Sequence, residues 1–178
     1  MKTSAIAIIA FIVVVFVLWF VNSNGVPTRQ KEIQAILNLP EPTNYVVDQG
    51  RGTGLTPGIL SQATVDALNA DLKTFDGKAQ IAVAIVETTQ PESIEGYGIR
   101  LADKWKVGYK GKDNGVIIIL AVKDRKVRIE VGRGLEEVVP DAVAGRIIRD
   151  VMTPSLKKGD WDTAIKDGVT ALKIQVTK

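Results

Sequence analysis

The sequence has 178 residues, enough for one domain with a hydrophobic core, and its 23 basic and 20 acidic residues give a net charge of +3. Hydrophobic residues make up 46% of the chain and charged residues 24%, a balance that excludes an intrinsically disordered protein. The basic residues form no stripe with interleaved aromatic side chains, and we therefore expect no nucleic-acid partner.

Cysteine and histidine are both absent from the sequence. Without cysteine, the chain has no disulfide, thiol nucleophile or thiolate zinc site. Without histidine, it lacks the commonest general base and the usual ligand of transition metals. Any metal site must therefore use carboxylate, amide and carbonyl oxygens, which favours calcium, magnesium or manganese.

The amino-terminal segment is strongly apolar. No residue is charged between Lys2 and Arg29, and residues 5–21 are apolar without exception. We predict a transmembrane anchor over residues 1–28, although the apolar run is at the short end for a membrane-spanning helix. The alternative is a signal segment that is cleaved after small residues near its end. Because Lys2 precedes the run, the positive-inside rule predicts a single-pass protein of the cell membrane, with its soluble part on the extracytoplasmic (periplasmic) side.

Residues 29–44 are predicted to form a tether to a single soluble domain over residues 45–178. The domain begins with a short strand that ends at Asp48, and a glycine-rich loop follows. Thr56 and Pro57 are typical of a helix start, because a hydroxyl side chain can cap the helix and proline suits its first turn. Asp76-Gly77 predicts the end of that helix.

One further strand, a helix and a hairpin come next in the chain. Residues 80–86 predict a strand, and Ser93 caps a helix that ends near Trp105. Residues 116–122 are apolar at every position, which indicates a central strand covered on both faces. Residues 126–131 alternate between apolar and polar, and the tight turn before them predicts an antiparallel hairpin.

Two helices complete the chain, one capped by Asp141 and ended by Pro154, the other capped by Asp160. The resulting order, β-α-β-α-β-β-α-α, predicts an α/β fold. We expect a three-layer α/β/α sandwich around a small mixed sheet with one antiparallel β-hairpin. The strand–helix–strand unit that contains Ser93 is expected to be parallel and right-handed.

The predicted hairpin determines which polar residues can meet. The start of its first strand and the end of its second lie at the same edge of the sheet, and the polar residues beside them are expected there: Asp113, Asn114, Glu136, Glu137 and Asp141. Asp124 and Arg125 are expected at the opposite edge. Carboxylates that converge in this way can bind a hard cation. The structural alternative is that Asn114 forms a turn with Gly115 and that Asp141 only caps its helix.

The central part of the sequence resembles the TPM domain family. The resemblance rests on a set of motifs: Trp105, Gly108, Gly111–Gly115, Asp124-Arg125, Arg128–Gly132, Gly134–Glu136 and Pro140-Asp141, with Pro154 and Gly159-Asp160 downstream. It extends over about residues 45–176, almost all of the predicted soluble part.

This resemblance implies a Rossmann-like α/β/α sandwich in a membrane-associated envelope protein of bacteria. Relatives in the family include a plant thylakoid-lumen protein linked to photosystem II repair and acid phosphatase activity, and animal modulators of acetylcholine receptors. Some members bind calcium in an acidic groove. Carried over by position, the implied metal ligands here are Asp48, Asp113, Asn114, Glu136 and Asp141. The family pattern D-x-A-G-x-L is altered here, because a longer glycine-rich loop separates Asp48 from Leu55.

Two functions are compatible with these observations. The first is a membrane-anchored, cation-binding module that docks on a membrane protein complex and supports its assembly or maintenance. The alternative is a divalent-metal-dependent acid phosphatase that acts on phosphomonoesters, in which a metal activates water and Arg133 or Lys112 neutralises phosphate charge. Because one fold hosts many activities, the resemblance alone leaves open whether the protein is an enzyme.

Overall fold

The computed structural model describes residues 39–49, 58–75 and 79–178. The predicted anchor at residues 1–28 lies outside the described residues, as do the helix start at Thr56-Pro57 and the helix end at Asp76-Gly77. All described helices and strands belong to one compact unit, Pro40–Lys178. None of the helices in this described part of the chain is long and apolar enough to cross a membrane.

The secondary structure follows the predicted order. The strands are β1 (Val46–Asp48), β2 (Gln80–Val86), β3 (Gly115–Ala121) and β4 (Lys126–Val131). The helices are α1 (Gln62–Phe75), α2 (Ile94–Trp105), α3, which has three segments (Asp141–Arg146, Ile147–Met152 and Thr153–Lys157), and α4 (Trp161–Val176). A short 3-10 helix, Arg133–Leu135, follows β4.

The four strands form one mixed sheet in the order β1-β2-β3-β4. β1 pairs with β2 and β2 with β3 in parallel, whereas β3 and β4 form the predicted antiparallel hairpin. Ile118 of β3 lies beside Val83 of β2 on one side and Ile129 of β4 on the other. All seven residues of β3 are buried, which confirms the prediction of a central strand covered on both faces.

One face of the sheet packs against α1, α3 and α4. Val83, Ile118 and Ile129 point to this face and share one hydrophobic core with Leu72 of α1 and Ile165 of α4. Helix α1 begins at Gln62, and residues 58–61 are not helical, so the prediction that this helix starts at Thr56-Pro57 is wrong. The hydroxyl of Ser61 accepts a hydrogen bond from the Thr64 amide at 3.2 Å.

Helix α2 packs against the other face of the sheet. Arg128 and Glu130 lie on this face, opposite Ile119 and Ile117 of β3. A Cβ atom added to Gly98 of α2 would lie 2.8 Å from Oε2 of Glu130, so the backbone of α2 approaches β4 closely at this glycine. The helices therefore form layers on both sides of the sheet, as the sequence predicts.

The two parallel crossovers have opposite hands. β1, β2 and β3 are neighbours in chain order, so both crossovers step across the sheet in the same direction. Their helices, α1 and α2, nevertheless cover opposite faces. Two such crossovers cannot share one hand, and one of them therefore departs from the right-handed rule for parallel strands.

The helix caps agree only in part with the prediction. Ser93 accepts a hydrogen bond from the Gly96 amide and Asp160 accepts one from the Thr163 amide, as expected for two N-caps. The prediction for Asp141 is wrong, because Pro140 occupies the N-cap position and Asp141 is the first helical residue. A carboxylate in the first turn still interacts favourably with the helix dipole.

The prediction that Pro154 ends this helix is also wrong, since α3 continues to Lys157. Its middle segment, Ile147–Met152, is a π-helix, and the carbonyl of Ile148 accepts bonds from both the amide and the hydroxyl of Thr153. Pro154 consequently lies in the first turn of the last segment of α3, which follows the π-helix directly.

The start of the folded unit is tied to the end of α2. The indole N–H of Trp105 donates a buried 2.8 Å hydrogen bond to the carbonyl of Pro40. Beside it, Lys104 Nζ lies 2.8 Å from Oε1 of Glu41. These contacts fix residues 40 and 41, which precede the predicted domain start at residue 45, against the body of the domain.

Candidate functional site

The polar residues of interest lie at the two ends of the parallel strands. We call the end where β2 and β3 begin the amino edge; it contains residues 108–114 and the turn after β4 at residues 132–136. We call the opposite end the carboxyl edge; it contains Asp48, Thr88, Thr89 and Asp124.

Asn114 holds the amino edge together. Its side chain is buried, and Oδ1 accepts a 2.8 Å hydrogen bond from the Tyr109 amide. Its carbonyl accepts a 3.0 Å bond from the amide of Gln80, and Oε1 of Gln80 accepts one from the Gly108 amide at 2.7 Å. Asn114 therefore folds the loop before β3 back onto the start of β2.

Close backbone contacts join this loop to the turn after β4. The amide of Gly134 donates to the carbonyl of Asp113 at 3.0 Å, and that of Gly132 donates to the carbonyl of Gly115 at 2.8 Å. A Cβ atom at Gly132 would lie 2.2 Å from the Asp113 carbonyl oxygen, which is too close for any side chain. Asp113 itself has a φ of 46°, in the left-handed region that aspartate tolerates better than most residues.

The structure places three of the five predicted ligands, Asp113, Asn114 and Glu136, at the amino edge. Asp113 and Glu136 are exposed there, on the two segments that the glycines join. Asn114 lies between them and the sheet. Asp141 begins α3 three residues after Val138, whose carbonyl accepts a bond from Gln175 near the end of α4.

Asp48 lies at the other edge. It is aligned with Ile85 of β2, and therefore with Leu120 of β3, which is six residues beyond Asn114. At about 3.3 Å per residue, Asp48 is about 20 Å along the sheet from Asn114. Oδ2 of Asp48 accepts a 3.0 Å bond from the Leu60 amide, which connects the end of β1 to the start of α1.

The five predicted ligands cannot all bind one metal ion. Ligand oxygens of calcium lie within about 2.6 Å of the ion, so residues 20 Å apart cannot share one. Among the described residues, no three or more Asp or Glu side chains lie close enough together to hold a metal. A calcium ion at the amino edge would have to use backbone carbonyls in addition to the carboxylates, and Asp48 would not contribute.

Asp124 is the centre of the carboxyl edge. It lies in the turn of the hairpin, and Oδ1 accepts a 2.7 Å bond from the Thr88 hydroxyl. Oδ2 accepts a 2.8 Å bond from the Thr89 amide and a 3.1 Å bond from the Thr89 hydroxyl. The hydrogen bond from the Thr89 backbone, followed by that from the Thr88 side chain, lowers the pKa of Asp124.

The sequence predicts Asp124 at this edge but predicts no hydrogen-bond partner for it. The missing signal was the register: Val86, the last residue of β2, lies beside Ala121, the last residue of β3. The residues that follow both strands, two threonines on one and an aspartate on the other, are therefore neighbours. Asp124 connects the β2–α2 loop to the hairpin turn, which is a structural role.

Other shifted carboxyl groups follow the same pattern. The pKa of Asp160 is lowered by the hydrogen bonds of its helix cap, and that of Glu95 by bonds from its own amide and from Ser93. For Asp162, burial acts to raise the pKa, but hydrogen bonds from Ser61 and Thr64 and the charge of Lys166 together lower it. A general acid needs a raised pKa, so none of these groups is suited to that role.

Comparison with known proteins gives a consistent family and fold. The model of the TPM domain matches residues 56–175. The comparison with curated proteins gave no match.

Three solution structures from bacteria are similar to this chain. The N-terminal domain of a P. gingivalis protein is 29% identical, with a TM-score of 0.66 over 79% of this chain and 87% of that one. The BA42 protein of Bizionia argentinensis, a psychrophilic bacterium, is 20% identical, with a TM-score of 0.57 over 66% and 81%. The N-terminal domain of the cg2496 protein of Corynebacterium glutamicum is 17% identical, with a TM-score of 0.53 over 79% and 84%. The last two similarities concern the fold alone.

The glycine contacts at the amino edge predict that adding one methyl group there strongly lowers the stability of the protein. We expect Gly132→Ala to lower the free energy of unfolding by about 2–4 kcal/mol, because its Cβ would overlap the Asp113 carbonyl. Gly145→Ala is the matched control: it lies in α3 with nothing within 4 Å of the added Cβ, and it should raise stability by up to about 1 kcal/mol. Urea unfolding of both variants measures the effect. Equal stabilities would contradict the close approach.

Asp124 predicts a pH dependence of stability. Its pKa is lower in the folded than in the unfolded state, so its contribution is fully present above the unfolded pKa of about 3.9 and is lost as the pH falls through the folded pKa. We expect Asp124→Asn to be less stable than wild type at pH 7. This difference in stability should become smaller as the pH is lowered to about 2.

Thermal unfolding between these pH values measures the difference. Thr88→Val should show part of the Asp124→Asn effect, because it removes one donor to the carboxylate, whereas Thr88→Ser keeps the hydroxyl and should behave like wild type. A difference between wild type and Asp124→Asn that does not change with pH would show that the carboxylate charge contributes nothing.

Proposed function

The chain belongs to the TPM domain family, and from this premise we propose that it is a membrane-anchored extracytoplasmic module that docks on a membrane protein complex and supports its assembly or maintenance. The anchor is the apolar run at residues 5–21. The module is the compact unit Pro40–Lys178.

One observation carries this proposal: polar side chains at both ends of the sheet bind backbone amides of the loops there. Asn114 binds the Tyr109 amide, Asp48 the Leu60 amide and Asp124 the Thr89 amide. Side chains used in this way make loops rigid, and rigid loops at a sheet edge suit recognition of a partner.

The chemistry of the side chains supports the same proposal. The sequence has no histidine and no cysteine, so the commonest general base and the thiol nucleophile are both absent. The carboxyl groups whose pKa is shifted have it lowered, which is opposite to the shift of a general acid. Docking requires neither a general acid nor a nucleophile.

Capture from native membranes tests the docking role. The full chain and a control that keeps residues 1–39 but carries an unrelated domain in place of residues 40–178 are purified in parallel in mild detergent. We expect the subunits of one membrane complex to accompany the native chain and to be absent from the control, because the anchor is the same in both. Identical sets of proteins in the two samples would contradict docking by the domain.

The phosphatase alternative is tested with the same protein. The full chain is incubated with a generic phosphomonoester, with and without divalent cations, beside the Asp113→Ala/Glu136→Ala double variant. We expect no cation-dependent turnover. Turnover that needs the cation and disappears in the double variant would support the phosphatase and contradict a purely docking role.

Calcium binding at the amino edge is a separate part of the proposal. A ligand that binds only the folded state raises the melting temperature by mass action. We expect millimolar calcium to raise the melting temperature of the wild type and of Asp48→Asn, since Asp48 is at the other edge. Asp113→Asn should abolish the rise. Absence of any rise in the wild type, or its loss in Asp48→Asn alone, would contradict a calcium site at this edge.

A further inference from the structure

Strand β4 is one of the two outermost strands of the sheet, which have a neighbouring strand on one side only, and it is the longer of the two. It has six residues, Lys126–Val131, whereas β1 at the other edge has three. A long edge strand presents unpaired peptide groups to other chains, and short edge strands are one way in which proteins avoid this. The hydrogen-bonding groups of β4 that face away from β3 can therefore pair with a strand of a partner.

The register of the hairpin identifies these groups. Gly132 donates to the carbonyl of Gly115, so this pair is hydrogen-bonded, and in an antiparallel ladder every second pair along the strands is bonded in the same way. The even-numbered residues of β4 thus bond to β3. The N–H and C=O groups of Val127, Ile129 and Val131 point away from the sheet. In the described part of the chain, no residue forms a hydrogen bond with them.

A second copy of the same strand can satisfy all of these groups. If two β4 strands run antiparallel about a two-fold axis at Ile129, Val127 pairs with the partner's Val131, and Ile129 pairs with the partner's Ile129. Each such pair exchanges two hydrogen bonds, because the outward groups of both strands belong to odd-numbered residues. Isologous contacts of this kind are the commonest in homodimers.

Arg128 and Glu130, which lie between the outward-bonding residues of β4, favour the register centred on Ile129. Arg128 and Glu130 are only partly buried and form an ion pair with 2.6 Å between Nε and Oε2. About an axis at Ile129, Arg128 lies opposite the partner's Glu130, in a non-hydrogen-bonded pair where side chains come closest. The four charges then alternate in sign around the axis. A register shifted to an axis at Arg128 would place the two arginines against each other, and one shifted to Glu130 would oppose the two glutamates.

We propose that the domain forms a two-fold homodimer through antiparallel pairing of the β4 strands, centred on Ile129, so that the two four-stranded sheets become one continuous sheet. The partner is a second copy of this chain, and the inference does not depend on the proposed function. The two neighbouring registers, centred on Arg128 or Glu130, oppose like charges, which is how charged edge residues prevent unspecific pairing.

Sedimentation of the full chain in density-matched detergent tests the dimer and its charge pairing. We expect a monomer–dimer equilibrium. Arg128→Glu should weaken dimerisation by about tenfold or more, because it places glutamate opposite the partner's Glu130 in two symmetry-related pairs. The charge-swapped double variant Arg128→Glu/Glu130→Arg restores opposite charges at both positions and should dimerise like wild type. All variants keep the same anchor, so association through the anchor would persist in each of them.

An edge proline tests the backbone pairing independently. The N–H of Val127 makes no bond to β3, so Val127→Pro removes intermolecular hydrogen bonds and leaves the hairpin ladder intact. We expect this variant to be monomeric, with far-UV circular dichroism like that of wild type.

The distance between spin labels tests the register. The chain has no cysteine, so Lys126→Cys carries one label per protomer. Residue 126 lies opposite residue 132 of the second copy, six residues from the symmetry-related label, which gives a backbone separation of about 20 Å. The proposal is overturned by a monomer at every concentration, by a dimer that neither Arg128→Glu nor Val127→Pro weakens, or by a label separation far from this value.

Discussion

The described fold depends on the burial of β3 on both faces. Its seven buried residues pair with β2 on one side and β4 on the other, and the same strand contributes to the packing of helices above and below the sheet. A strand in this position has no freedom of register, because a shift by one residue would exchange the residues of its two faces. The loops at both ends of β3 are consequently fixed, and the position of β3 determines the geometry of the amino and carboxyl edges.

These edges show how polar residues can be prominent in a sequence without being catalytic. Asn114 and Asp124 occupy equivalent positions, one before β3 and one after it, and each holds a neighbouring loop through backbone amides. A buried or half-buried backbone group needs a partner, and a side chain that supplies one is under as strong a constraint as a metal ligand. Asn114 and Asp124, two residues of the motifs on which the resemblance rests, thus each have a role in folding.

Most of the fold could be predicted because its signals are local. The hairpin follows from alternation in β4 and a short turn, and the caps at Ser93 and Asp160 from single side chains. The site was harder, since residues far apart in sequence had to be placed at one edge or the other. Asp48 ends β1 and Asp113 precedes β3, so whether the two residues lie at the same edge depends on the relative directions of these strands. The π-helical segment before Pro154 had no sequence signal at all.

The bond between Trp105 and Pro40 has a mechanical consequence. Tension that arrives along the chain from its amino-terminal side meets this buried bond and the Lys104–Glu41 ion pair before it reaches any strand. The force then passes into the end of α2, which packs against the sheet. The short and vulnerable strand β1 comes later in the chain and is shielded from the pull.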